Sequence, residues 1–213
     1  VTVFGVPVSA APFDFMYTAE LPENFSAAMV GSGLGRTPDA QAQALEFLSQ
    51  EQVRERPLIL DADILHNTKL PELLPLFKAP ILTPHPKEFA SLLELANLGK
   101  FDAGEVQKNR FKLAQIFSRN FKCVLVLKGA NTLIAQGGKV YVMTQGSAAL
   151  AKGGSGDALS GIIAGLLAQG YSPLNSAISG TLAHALAARE IKINDYALTA
   201  ADVIKGLKCL RKK

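Results

Sequence analysis

Short apolar runs alternate along this chain with longer stretches of helical periodicity. Ala27–Val30, Pro57–Leu60, Ala79–Leu82 and Cys123–Leu127 lack the every-other-residue polarity of a half-exposed strand. Each therefore reads as a strand buried on both faces. Between them, Thr37 and Pro38 supply the cap and first-turn proline of a helix with Ala44, Leu45 and Leu48 on one side. A second helix is expected near Leu70–Phe77, and a third carries Phe89, Leu92, Leu93 and Ala96 on one face. A longer one, about Asp102–Asn120, buries Val106, Leu113 and Phe117. Thr132–Ala135 and Val140–Met143, joined by Gly137-Gly138, read as a hairpin. After Asp157 an uncharged run closing near Gly170 reads as a buried helix, in which Gly161 and Gly165 would admit a close neighbour. Ser172-Pro173 opens the next helix, and Thr199–Asp202 forms a capping box for the last. Val1–Phe4 alternates weakly as a strand, and the proline-rich, acidic passage through Glu23 reads as a loop. Strands alternating with helices predict an α/β fold: a mostly parallel sheet with helices on both faces.

The polar residues fall where such a sheet binds ligands. Each apolar run ends, on its C-terminal side, in a polar or glycine cluster: Gly31–Arg36, Asp61-Ala62-Asp63, Thr83–Glu88 and Lys128–Thr132. In open parallel sheets that edge is the ligand edge, so the four clusters should meet on one rim. Gly31-Ser32-Gly33-Leu34-Gly35-Arg36 approximates a dinucleotide fingerprint, but Arg36 replaces its third glycine, which weakens the match. Of Asp61 and Asp63, only one can face the site; one could hold Mg²⁺ through water while the other satisfies a loop amide. His85, stiffened by flanking prolines, either contacts a ligand or bonds the backbone of its turn. Lys128 could reach a phosphate as a point charge, and Asn131 and Thr132 either offer polar groups to a ligand or make a turn. His66 and His184 have no partner pattern and read as structural or surface residues.

The most unusual stretch is Ala149–Asp157, where Gly153, Gly154, Ser155 and Gly156 lead into a helix and a carboxylate. A glycine loop can turn tightly, and unpaired amides at a helix start welcome an anion. Asp157 would repel that anion unless it has a task, such as taking a proton from an attacking hydroxyl. Loop, helix start and carboxylate together point to phosphoryl transfer to an alcohol; the bland alternative is an N-cap aspartate after a glycine turn. The loop is not a Walker A motif, because Lys152 precedes the glycines. Lys152 either lends its charge to the loop or is solvated.

Composition narrows the classes. The 213 residues suffice for one domain with a sizeable core, and 48% apolar content with 18 glycines and 11 prolines reads as globular and loop-rich. No apolar run approaches membrane-spanning length, and no signal segment opens the chain. A net charge of +4 is modest, and few aromatics interleave with the basic residues, which argues against a nucleic-acid surface. Cys123 and Cys209 have no metal or redox spacing and read as reduced residues of a cytoplasmic protein.

Collected in order, Gly31–Gly35, Asp61-Ala62-Asp63, Thr83–Phe89, Lys128-Gly129-Ala130 and Leu150–Asp157 resemble the NAD(P)H-hydrate dehydratase family of the ribokinase-like superfamily. The resemblance runs over nearly the whole chain, and the pairing of Pro-His-Pro-x-Glu with Gly-Gly-Ser-Gly-Asp is its specific part. It implies dehydration of hydrated NADH or NADPH at the expense of an adenine nucleotide, ADP in bacterial-type members or ATP, with Mg²⁺. It implies that Asp157 is the base and also contacts the hydrated ring. Gly153, Gly154, Ser155 and Gly156 would cradle the transferring phosphoryl group. Gly33 and His85 would hold the hydrated dinucleotide, and Lys128, Gly129, Ala130, Asn131, Thr132 and Gly156 the adenine nucleotide. A homo-oligomer is implied as well. Ser32 stands where the family often has proline and Lys87 where it often has glycine. The family domain usually opens with a strand–helix–strand unit before the segment matching Val1, so residues 1–213 are expected to be a single domain lacking that unit. Rival readings are a vitamin kinase for a hydroxymethylpyrimidine or hydroxyethylthiazole, and a nucleotide-binding module without catalysis.

Overall fold

A computed structural model describes residues 2–4, 16–18 and 24–210. Thr2–Phe4 (β1) and Met16–Thr18 (β2) pair in parallel. The first is the strand predicted at Val1–Phe4, with Val1 itself outside the described residues. The second is a strand inside the passage that reads as a loop.

The main sheet contains Ala28–Val30 (β3), Leu58–Leu60 (β4), Ile81–Leu82 (β5), Val124–Leu127 (β6), Leu133–Gln136 (β7) and Lys139–Val142 (β8), side by side in chain order. β3 to β6 are parallel and β7 and β8 antiparallel. The hairpin turns at Gly137 and Gly138, both with positive φ, as a tight turn between twisted strands requires. Parallel strands laid down successively in one direction send their right-handed crossovers to the same face. That face carries Pro38–Ser49 (α1), Glu51–Arg54 (α2), Leu70–Leu73 (α3), Pro86–Leu95 (α4), Ala103–Lys108 (α5) and Arg110–Asn120 (α6). Their apolar sides pack with Leu58, Leu60, Leu82, Leu125 and Leu127. Ile59, Ile81, Val124 and Val126 point the other way, onto Ser155–Ala168 (α7) and Pro173–Glu190 (α8). Ala200–Leu207 (α9) packs outside α8. Neighbouring strand residues therefore feed two different cores, which is why the apolar runs are continuous.

Several helices differ from their predicted form for local reasons. The long helix splits into α5 and α6 at Asn109, whose side-chain amide donates to the Glu105 carbonyl and competes with the backbone. The helix near Leu70–Phe77 is only α3 and a 3₁₀ turn, Leu74–Leu76, because Pro71 and Pro75 remove amide donors. In α1 it is Phe47 that completes the buried stripe with Ala44 and Leu48, while Leu45 is half-buried. α7 is buried on one side only: Gly161 and Gly165 are exposed and have nothing near a would-be Cβ, so among the described residues no element packs closely there.

Candidate active site

The four rim clusters do converge. Asp61 ends β4 with 1% of its surface exposed. Its Oδ1 accepts from the Ala62 amide and from Lys128 Nζ, both at 2.9 Å, and its Oδ2 accepts from Ser160 Oγ at 2.7 Å. Because Ser160 gives its proton to Asp61, the Thr83 hydroxyl, 3.1 Å from Ser160 Oγ, is the donor there. Lys128 Nζ also lies 3.7 Å from Glu88 Oε2, so two buried carboxylates share one ammonium. The carbonyl of Asp61 lies so close to Gly31, which has φ +122°, that a Cβ would come within 1.8 Å of it. Only glycine fits. Asp63 accepts from the Gly35 amide at 3.0 Å and from Arg36 Nε at 2.9 Å, the loop-amide role foreseen for one of the pair.

His85 serves first as the N-cap of α4. Its Nδ1 accepts from the Lys87 and Glu88 amides, both at 3.2 Å, which puts the ring proton on Nε2, 3.3 Å from Glu88 Oε1. Glu88 Oε2 returns the bond by accepting from the His85 amide at 2.7 Å.

α7 begins differently from most of the other helices. α1, α4, α5, α8 and α9 have side-chain caps, whereas α7 starts from Gly154, φ +79°, with no capping side chain. The amides of Gly156 and Asp157 have no intramolecular partner among the described residues. Aligned peptide dipoles add positive potential there, so this end is an open anion site. Asp157 stands in that first turn, exposed and without a hydrogen-bond partner among the described residues. Lys152 is exposed, and its ammonium donates to the carbonyls of Asp195 (2.6 Å) and Leu198 (2.9 Å) rather than to the glycine loop. Ser155 turns its hydroxyl inward, 3.3 Å from His184 Nε2, so that side chain does not face an anion.

A cavity of about 670 Å³ opens beside this helix start. Its walls are His85, Lys128–Thr132, the loop Met143–Ala148, and Leu159, Thr181, His184 and Ala185 from α7 and α8. Neither Gly33 nor Gly153–Asp157 lines it. The two regions adjoin at Gly156, where a Cβ would stand 3.2 Å from Lys128 Nζ. Behind the Lys128–Thr132 loop, Arg110 Nη2 donates to the Asn131 carbonyl at 2.6 Å. Burial pulls the His184 pKa down to about 4, so its ring is neutral at neutral pH.

The family description NAD(P)H-hydrate dehydratase matches residues 5–208. This chain belongs to the NAD(P)H-hydrate dehydratase family. The bifunctional NAD(P)H-hydrate repair enzyme of Helicobacter pylori is 43% identical over 200 residues, covering 93% of this chain and 40% of that one. The ADP-dependent (S)-NAD(P)H-hydrate dehydratase of Neisseria meningitidis is 35% identical over 189 residues, 86% of this chain and 60% of that one. Among solved structures, the ADP/ATP-dependent NAD(P)H-hydrate dehydratase of Bacillus subtilis, co-crystallized with ATP/Mg²⁺ and soaked with CoA, superposes with a TM-score of 0.76. It is 29% identical, and the match covers 92% of this chain and 72% of that one. A ribokinase-like superfamily protein of Enterococcus faecalis matches with a TM-score of 0.69, and the fold is ribokinase-like. The chain thus spans less than two thirds of the length of both curated relatives named here.

For this family member, sequence reasoning brings His85, Lys128, Gly129, Ala130, Asn131 and Thr132 to one cavity and Asp157 to the neighbouring helix start. It misses His184 and the Met143–Ala148 loop. His184 lies in an alanine-rich helix with no motif around it; its one signal was a polar residue on an apolar face.

Proposed function

We propose that this chain carries out nucleotide-dependent dehydration of hydrated NADH or NADPH, with the adenine nucleotide in the 670 Å³ cavity. The observation that carries the reading is the uncapped start of α7, holding Asp157 in its first turn and meeting the cavity at Lys128 and Gly156. In this reading Asp157 takes the proton of the ring hydroxyl as its oxygen attacks the terminal phosphorus of the nucleotide. The bond to the bridging oxygen breaks, and AMP leaves when the donor is ADP. Open amides at Gly156 and Asp157 favour the charge on the transferring group. Phosphate then departs from the ring carbon as the ring nitrogen donates its electron pair, and loss of a proton from the adjacent carbon restores the dihydronicotinamide. Gly33 and His85 would hold the hydrated dinucleotide, Lys128–Thr132 the nucleotide, and Gly153–Gly156 the phosphoryl group.

Among the described residues no three His, Cys, Asp or Glu side chains gather as a metal site, and Asp61 and Glu88 are occupied by Lys128 and His85. A Mg²⁺ accompanying the nucleotide would therefore be held chiefly by its phosphates, whose charge it would offset. We also take the protein to be a cytoplasmic homo-oligomer by family analogy. No helix among the described residues is long and apolar enough to cross a membrane, and edge strand β8 exposes Tyr141 and Val142.

Incubating the protein with hydrated NADH and either ADP or ATP should restore the reduced-nicotinamide absorbance in step with AMP or ADP release. A phosphorylated pyrimidine or thiazole alcohol, formed with no recovery of absorbance, would mean a vitamin kinase. Nucleotide binding without any turnover would mean a binding module.

A further inference from the structure

α8 lies against α7 at Gly180, where a Cβ would come within 2.6 Å of the Ile163 side chain and 3.3 Å of its Cα. On its other side α8 is met by α9 at Gly206, whose Cβ would stand 2.3 Å from the Ala187 carbonyl oxygen. These approaches hold α8 from two directions. His184 is one turn beyond Gly180 on the same face and so is aimed at the start of α7. Its Nε2 lies 3.3 Å from Ser155 Oγ; both residues are buried, and the imidazole also forms part of the cavity wall.

We propose that His184 is a positioning residue for the nucleotide: from the cavity wall its imidazole holds Ser155, and through it the open first turn of α7, so one side chain sets both the cavity and the anion cradle. The inference rests on reading that cavity as the nucleotide site. Its role is geometric. A ring that burial keeps neutral cannot attract phosphate by charge, and Ser155, its partner, has its hydroxyl turned away from the cradle. No other described side chain caps this turn, so the His184–Ser155 contact is the side-chain restraint at its first residue. Loss of the contact would leave the Gly156 and Asp157 amides free to drift from the phosphate while leaving the cavity itself in place.

The test is calorimetric titration of ADP into the 213-residue chain for wild type, His184→Gln, His184→Leu, Ser155→Ala and the Ser155→Ala/His184→Leu double variant, with a thermal melt of each. His184→Leu and Ser155→Ala should each weaken ADP binding about three- to tenfold, the worth of one neutral hydrogen bond. The double variant should be no weaker than the weaker single one, because both remove the same contact. His184→Gln, whose carboxamide can still reach the hydroxyl, should recover most of the affinity. Earlier melting of His184→Leu with unchanged ADP affinity would reduce the histidine to a packing residue and overturn the proposal. If His184→Leu does not fold, unchanged affinity in Ser155→Ala does the same. A wild-type chain that binds neither ADP nor ATP removes the reading of the cavity, and this inference falls with it.

Discussion

Asp61 is a buried carboxylate whose three donors come from three places along the chain: its own turn, the residue after β6, and α7. Removing one partner of a buried ion pair leaves an uncompensated charge, which commonly costs about 3–5 kcal/mol. Asp61→Ala should therefore lower the unfolding free energy by roughly 3 kcal/mol, read as a shift in urea midpoint. Lys128→Met should cost at least as much, since it leaves both Asp61 and Glu88 buried without their shared ammonium. The double variant should cost less than the sum of the two, and strict additivity would mean the pair is not coupled. His184 makes a separate, pH-dependent contribution. Its folded-state pKa, about 4, lies below the ordinary histidine value of 6.5. The unfolded chain therefore takes up a proton that the folded one refuses, and stability is lost as pH falls from 6.5 towards 4. A gap of that size corresponds to roughly 3 kcal/mol at most. His66, whose pKa is lowered first by burial and then by Arg36, adds a slope of the same sign. The quantity to measure is thus the difference between wild type and His184→Leu, whose midpoint should fall less steeply over that window. Parallel curves would contradict the assignment.

Among the elements, the glycines divide by what surrounds them. Gly161 and Gly165 lie inside α7 with open space beside them, so alanine there should stabilise the protein by roughly 0.5–1 kcal/mol each through helix propensity. Gly31→Ala must fail, since no adjustment of a side chain relieves a Cβ 1.8 Å from a backbone oxygen. Raised and lowered melting temperatures respectively would check both. The same contrast explains how much could be read in advance. The hairpin at Gly137-Gly138, the Thr199–Asp202 capping box and the rim clusters are legible because turn chemistry and strand ends are local signals. The break at Asn109 is harder, because one side-chain hydrogen bond decides it within an otherwise helical pattern. Which glycines of the α7–α8 pair meet a neighbour is not legible at all. Gly161 and Gly180 look alike in sequence, and only the mutual rotation of the two helices puts Gly180 against Ile163. His184 was hidden for the same reason, as its partner Ser155 is distant in sequence and belongs to a different helix.

For the molecule as a whole, the sheet rim separates a site for charge from a site for volume, and ligand linkage can tell them apart. The cavity is bounded by His85, the β6–β7 loop, the β8–α7 loop, Leu159 of α7 and α8, whereas the uncapped helix start carrying Asp157 lies just outside its walls. A nucleotide bridging them binds only the folded state, so a ligand at about 100 times its Kd adds about 2.7 kcal/mol of stability. For a chain of this size that raises the melting temperature by roughly 5–11 °C. Lys128→Met should reduce the shift produced by ADP, because it removes the ammonium that, among the described residues, stands between cavity and cradle. Asp157→Asn should do the opposite. It deletes a negative charge from an anion site while leaving the backbone amides at positions 156 and 157 in place, so the ADP-induced shift should equal or exceed that of wild type. Turnover of hydrated NADH should nevertheless fall by about two to four orders of magnitude, the usual contribution of a positioned general base. Tighter nucleotide binding together with lost chemistry is a combination that simple damage to the fold does not produce. A variant that loses both together would move the base elsewhere on the rim.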